Sequence, residues 1–238
     1  MATVILLRHG RTSANAAGVL AGRLPGVALD EVGLEQAGRA AERLAAVPLT
    51  GVVSSPLERC RQTARAVTRA QPETGAHRVT TDKGLSECDY GTWQGRPLKE
   101  LAKEALWKTV QTQPSAARFP SGESMPAMQA RAVSAVRRRD AALEAEHGVG
   151  AVWVAVTHGD LVKAILADAL GMHLDLFQRI NADPASISIV RYTASRPYVL
   201  ATNTHAGDLS WLKPPARSKG RRTTKATDAA VGGGAGPA

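Results

Sequence analysis

The sequence predicts an α/β protein built on a mainly parallel sheet, and three observations carry that reading. Short β-branched or aliphatic runs recur at Thr3–Leu7, Gly51–Ser54 and Ala151–Val156. Each is followed by a stretch whose apolar residues recur at helical spacing. Of the 238 residues, 44% are hydrophobic, enough to fill a sizeable core and to exclude wholesale disorder. Strands that alternate with helices pair in parallel, because each crossover helix packs back on the sheet.

Thr3–Leu7 (TVILL) reads as a buried strand stopped by a polar loop. Gly33–Ala46 places Leu34, Ala37, Ala41 and Leu44 on one helical face. Gly51–Ser54 is a second strand, and Pro56 can open the helix Leu57–Ala70 at its first turn. Ser124 to about His147 is a long helix, with Arg137–Arg139 expected on its solvated face. Ala151–Val156 (AVWVAV) is a third buried strand, leading to a helix over Asp160–Leu170 with Gly171 as its C-cap. Ser186–Tyr192 and Tyr198–Asn203 close the sheet.

The net charge is +9, and its placement matters more than its sum. Residues 213–238 carry six cations against Asp228, leaving 24 cations and 20 anions in residues 1–212. That tail has almost no large apolar residue, so burial cannot offset its ordering entropy. We expect a folded body over residues 1–212 and a disordered, basic, Gly/Ala/Pro-rich tail over 213–238. Nine aromatic residues are few for a nucleic-acid stacking platform, so a nucleic-acid partner recruited by the tail is the lesser reading. No apolar run reaches the ~18 residues of a membrane span, and the apolar start lacks a basic leader. Cys60 and Cys88 make neither a disulfide framework nor a zinc site. A cytoplasmic protein is expected, and the sequence does not specify its oligomeric state.

In open α/β sheets ligands bind beyond the carboxyl ends of the strands. Arg8-His9-Gly10-Arg11-Thr12 and Asn15 follow the first strand, Ser54-Ser55-Pro56 and Arg59 the second, and Thr157-His158-Gly159-Asp160 the third. Two histidines and several guanidinium or amide donors are therefore expected at one sheet edge. Arginine forks and helix N-termini match phosphate oxygens, so a phosphoryl site is the simplest chemical reading.

RHGRTSAN, SSPLERCRQTA, LSECDYGTWQG and THGDL, in that order, resemble the histidine phosphatase superfamily, which includes cofactor-dependent phosphoglycerate mutase. The likeness runs from about Thr3 to Tyr192 and implies a phosphoglycerate mutase-like, three-layer α/β/α fold. It implies that His9 is the phosphorylated histidine and that Arg8, Arg59 and His158 hold the transferred phosphoryl group. Thr12, Asn15 and Gly159 would add substrate contacts, and Glu87 would protonate the leaving group. Asp89, two residues on, is the competing candidate for that acid. Cys60, between Arg59 and Arg61, is either a thiol of lowered pKa or a helix residue tucked behind the site. Arginines would stabilise the charge, so neither metal nor other cofactor is implied.

The resemblance covers hydrolases and mutases alike. Mutases of the family carry a long basic insertion with an adjacent arginine pair between the acid and the second histidine. Here Gln94–Ser124 is short, with only Arg96, Lys99, Lys103, Lys108 and Arg118 as cations. Hydrolysis of a small phosphate monoester is the expected activity, with mutase-type transfer as the alternative. A non-catalytic module binding a phospho-ligand or nucleic acid is the further alternative. Trp107 and Phe119 are the candidate apolar lid, and Pro120–Ser124 a candidate border of the pocket.

Overall fold

Six strands form one sheet in the computed structural model, which describes residues 2–73, 75–205, 231, 232 and 234. Along the chain come β1 (Thr3–Arg8), α1 (Ser13–Ala16), α2 (Glu31–Leu44), β2 (Gly51–Ser54), α3 (Glu58–Ala70) and β3 (Val79–Thr81). Then follow α4 (Leu98–Leu101), α5 (Ala105–Thr112), α6 (Met125–His147), β4 (Val152–Thr157), α7 (Gly159–Ala169), β5 (Ile187–Tyr192) and β6 (Pro197–Thr204). The spatial order is β3-β2-β4-β1-β5-β6. The first four strands pair in parallel, and β5 and β6 close the sheet antiparallel.

All six residues of β1 are buried, which is why its sequence runs apolar without alternation. Its side chains feed two cores. Val4 and Leu6 join Trp153 and Ala155 beneath Met128, Ala132 and Val136 of α6 and Leu161 and Ile165 of α7. Ile5 and Leu7 join Val154 and Val156 against Ala40, Ala41 and Leu44 of α2 and Ala64 and Val67 of α3. The result is three layers, α/β/α. In register Arg8 lies beside Thr157 and Ser54 beside Val156, so the loops after β1, β2 and β4 leave one edge together.

Several boundaries differ from expectation for local reasons. Helix α2 starts at Glu31, not Gly33, because the Asp30 carboxylate caps it by accepting from the Gly33 N–H at 2.8 Å. Leu34, expected on the buried face, is exposed. Helix α3 starts at Glu58, two residues past Pro56. Gly171 lies beyond the C-cap Leu170 at φ 65°, the left-handed turn that ends α7. The Arg137–Arg139 run is ion-paired rather than simply solvated: Arg138 and Arg139 both reach Asp82 at 2.9 Å, and Arg137 reaches Asp168 at 2.8 Å. No helix among the described residues is long and apolar enough to cross a membrane. The expected end of the body at Leu212, and the expected disorder of the tail, lie outside the described residues except at Val231, Gly232 and Gly234.

Candidate active site

The loop that leaves β1 is seated on the N-terminus of α2. A methyl on Gly10 would overlap the carbonyl of Gly33, and one on Gly33 would overlap the carbonyl of Arg11. Only two glycines let these backbones approach so closely. The Gly10 N–H is held by Thr63 Oγ1 of α3 at 3.2 Å. His9, buried, places Nδ1 2.7 Å from the Gly10 carbonyl. A carbonyl only accepts, so Nδ1 carries the hydrogen and Nε2 keeps its lone pair. Thr12 and Asn15 form a reciprocal capping box at the start of α1 and line the pocket beside His9. Arg11 turns away to pair with Asp30 at 2.8 Å.

Arg59 occupies the middle of the site from the first turn of α3. Its Nε donates to His9 Nε2 at 3.2 Å and its Nη2 to the Gly22 carbonyl at 2.7 Å, while Nη2 also lies 3.2 Å from His158 Nδ1. Its Nη1 is buried without a hydrogen-bond partner among the described residues, a donor suited to an anionic ligand. His158, the N-cap residue of α7, sets Nε2 2.8 Å from Ser55 Oγ and meets His9 edge-on at 5.2 Å between ring centres. Burial first, then the charge of Arg59, pushes both imidazoles well below the usual histidine range. Gly159 opens α7 and is buried behind His158. Cys60 lies 3.4 Å from His158 Nε2, and burial pushes its thiol up to about 12. It is the tucked-away helix residue, not a lowered-pKa thiol.

Arg8, at the end of β1, donates through Nη1 to the Ala182 carbonyl at 2.8 Å and through Nη2 to the Gly234 carbonyl at 2.9 Å. Glu87 is buried, with Oε1 accepting from the Cys88 N–H at 2.9 Å and Oε2 3.8 Å from His158 Nδ1. Burial, and then the nearby Asp160 carboxylate, raise its pKa to about 7 against the opposing pull of Arg59 and Arg8. Asp89 instead points to the surface, about one-third exposed and 3.5 Å from Arg23.

The arrangement brings Arg8, His9, Thr12, Asn15, Arg59, Glu87, His158 and Gly159 to one sheet edge. It does not bring the candidate lid. Phe119 is buried in the core against Tyr90 and Trp93, and Trp107 stacks on Trp93. The pocket wall is Gly18–Gly22 and Leu98 instead. Pro120–Ser124 borders the Glu87 loop from behind, where Glu123 accepts from Arg23, Arg131 and the Asp89 N–H. Both arginines also donate to the Glu87 carbonyl, Arg23 at 2.7 Å and Arg131 at 2.9 Å. Sequence reasoning missed these two, Ser55, Gly22 and the segment Val231–Gly234, whose residues 231, 232 and 234 line the pocket. Serine directly after a strand in SSP was the one local signal for Ser55. No group of three or more His, Cys, Asp or Glu side chains suited to a metal occurs among the described residues.

Comparison with known proteins agrees with this geometry. The family model for the histidine phosphatase superfamily (branch 1) matches residues 4–205. A protein of Yersinia pestis (strain Pestoides F) named "Probable phosphoglycerate mutase GpmB" is 32% identical over 222 residues, covering 91% of this chain and 97% of that protein. The solved structure titled "Mycobacterial hydrolase 1" superposes with a TM-score of 0.75 at 26% identity, covering 86% of this chain and 99% of that one. A mycobacterial glucosyl-3-phosphoglycerate phosphatase in complex with VO3 superposes with a TM-score of 0.70 at 28% identity, covering 84% and 98%.

Proposed function

The chain belongs to branch 1 of the histidine phosphatase superfamily, and from that premise we propose that it is a metal-independent phosphomonoesterase acting on a small phosphorylated metabolite. The observation that carries this reading is the neutral Nε2 of His9, aimed at Arg59 beside the Nη1 of the same arginine, which has no hydrogen-bond partner among the described residues. Nε2 attacks phosphorus in line, the P–O ester bond breaks, and a P–N bond forms. Arg8, Arg59 and His158 hold the equatorial oxygens as charge shifts toward the leaving oxygen. Glu87 gives its proton to that oxygen, so an alcohol rather than an alkoxide departs. Water then attacks the phosphohistidine, Glu87 takes one of its protons, and the P–N bond breaks to release phosphate.

Trapping with a labelled phosphate ester under an alkaline, denaturing quench, in which the P–N bond survives, tests the covalent step. Wild-type protein should retain label on His9, and His9→Ala should lose it together with at least about 10³-fold in kcat. Unlabelled wild-type protein that still turns over substrate would refute the mechanism.

The name of the Yersinia relative favours a second reading, mutase-type transfer. Hydrolysis is supported by the segment between Glu87 and His158. None of Arg96, Lys99, Lys103, Lys108 and Arg118 lines the pocket, and Arg96 is paired with Glu104 at 2.7 Å. A substrate panel with and without 2,3-bisphosphoglycerate separates the two, since a mutase would turn over faster than it releases phosphate.

A further inference from the structure

Asp160 stands in the first turn of α7, where the helix dipole alone would welcome a carboxylate at the surface. Its side chain turns inward instead and is fully buried. Oδ2 accepts from the Tyr90 hydroxyl at 2.7 Å and from the Gly232 N–H at 3.0 Å, and Oδ1 lies 3.6 Å from Lys163 Nζ. Lys163 is buried as well, over the ring of Phe177 at 4.6 Å, and donates to Gln178. Burying an ion pair costs desolvation that its own attraction seldom recovers, so stability is a weak reason for this cluster.

Tyr90 shows what the cluster holds. It follows Glu87 by three residues, and the span Leu85–Tyr90 that carries Glu87 is fastened at both ends to the junction of β4 and α7. Before Glu87, Thr157 Oγ1 donates to the Leu85 carbonyl at 2.8 Å; after it, Tyr90 donates to Asp160. Glu87 therefore rides on a short span stapled to the turn that presents His158. We propose that Asp160, anchored by Lys163, is a positioning residue that acts through Tyr90 on the proton-donating carboxyl of Glu87. The inference rests on the reading of Glu87 as that donor.

The electrostatics agree with the geometry. The groups that face Glu87 include Asp160 and Lys163 from α7, Arg59 and Cys60 from α3, Arg8 from β1, His158 just after β4, Arg131 from α6, and Cys88 and Tyr90 on its own segment. Arg23 and Arg131 make their hydrogen bonds to its main-chain carbonyl. Of the charges that shift the Glu87 carboxyl, Asp160 favours its protonated form while Arg59 and Arg8 oppose it. Asp160 in turn faces Tyr90, Lys163, Arg8 and Glu87.

The test compares an alkyl phosphate, whose leaving group needs a proton, with p-nitrophenyl phosphate, whose leaving group does not. In Asp160→Asn the alkyl-to-aryl ratio of kcat/KM at pH 7 should fall about tenfold, part of the usual contribution of general acid catalysis. The upper pH limb of alkyl turnover should also move to lower pH. Tyr90→Phe, which keeps every charge, should lower the ratio in the same direction and decides the matter if Asp160→Asn does not fold. A folded variant whose ratio stays within about twofold of wild type, or whose two substrates fall in parallel, would overturn the proposal. Glu87→Gln is the reference. If it lowers the ratio and the Asp160 and Tyr90 variants do not, this inference fails alone; if it leaves the ratio unchanged, the assignment of Glu87 fails first and this inference with it.

Discussion

The proposed role of His9 as the nucleophile requires that Nε2 keep its lone pair, and two features protect it. The Gly10 carbonyl takes the ring hydrogen at Nδ1, and burial beside Arg59 and Arg8 holds the pKa well below the ordinary value. Glu87 has the opposite requirement, and burial with Asp160 lifts it to about 7. Because kcat/KM reports the free enzyme, its profile for an alkyl phosphate should fall as pH rises through about 7, where Glu87 loses its proton. The same profile for p-nitrophenyl phosphate should stay level there, and Glu87→Gln should abolish the limb. A limb of equal height for both esters would show that another group titrates. At this scale the residues that follow β1, β2 and β4 were legible, because they leave strand ends and their types fit one chemistry, whereas Glu87 came only from the family resemblance. The residues behind them were not: Arg23 and Arg131 act on the Glu87 carbonyl from 64 and 44 positions away, with no local pattern to announce it.

Elements set those residues to within a bond length, and the seat of the β1 loop on α2 is the tightest such junction. Gly33→Ala would drive a methyl into the Arg11 carbonyl, at a helical position where alanine is otherwise welcome. We expect it to cost about 2–3 kcal/mol by overpacking, measured by denaturant melts, and to cut kcat more than it weakens folding. Gly38→Ala, later in the same helix with open space beside it, should be neutral or stabilising. Equal effects of the two would mean that the contact with Arg11 does not govern the loop. The continuously apolar β1 and β4, the strongly periodic α3 and the long α6 were legible within a few residues. The three-residue β3 was not, since a three-residue edge strand leaves too few positions for a period to register.

Across the whole molecule, the charge that first suggests a polyanion partner separates from the chemistry. The six tail cations lie between Lys213 and Lys225, whereas the tail residues at the pocket, Val231, Gly232 and Gly234, are uncharged. Val231 is buried in the same core as Leu20 and Tyr90, the Gly232 N–H meets Asp160, and the Gly234 carbonyl meets Arg8. With these residues seated, the pocket keeps about 30 Å³ of water-accessible space. A phosphate oxygen and the Gly234 carbonyl would thus compete for one arginine. A chain ending at Ala230 keeps every tail cation, so it removes the competitor without changing the side-chain charge. Its inhibition constant for inorganic phosphate should fall about two- to tenfold, the worth of one exchanged hydrogen bond. Gly232→Ala should shift it the same way, because Gly232 sits at φ 76° with Leu20 Cδ1 only 2.8 Å from where its Cβ would be. Weaker phosphate binding after truncation would instead make the segment a lid that completes the site, and an unchanged constant would show that Arg8 accommodates both acceptors at once.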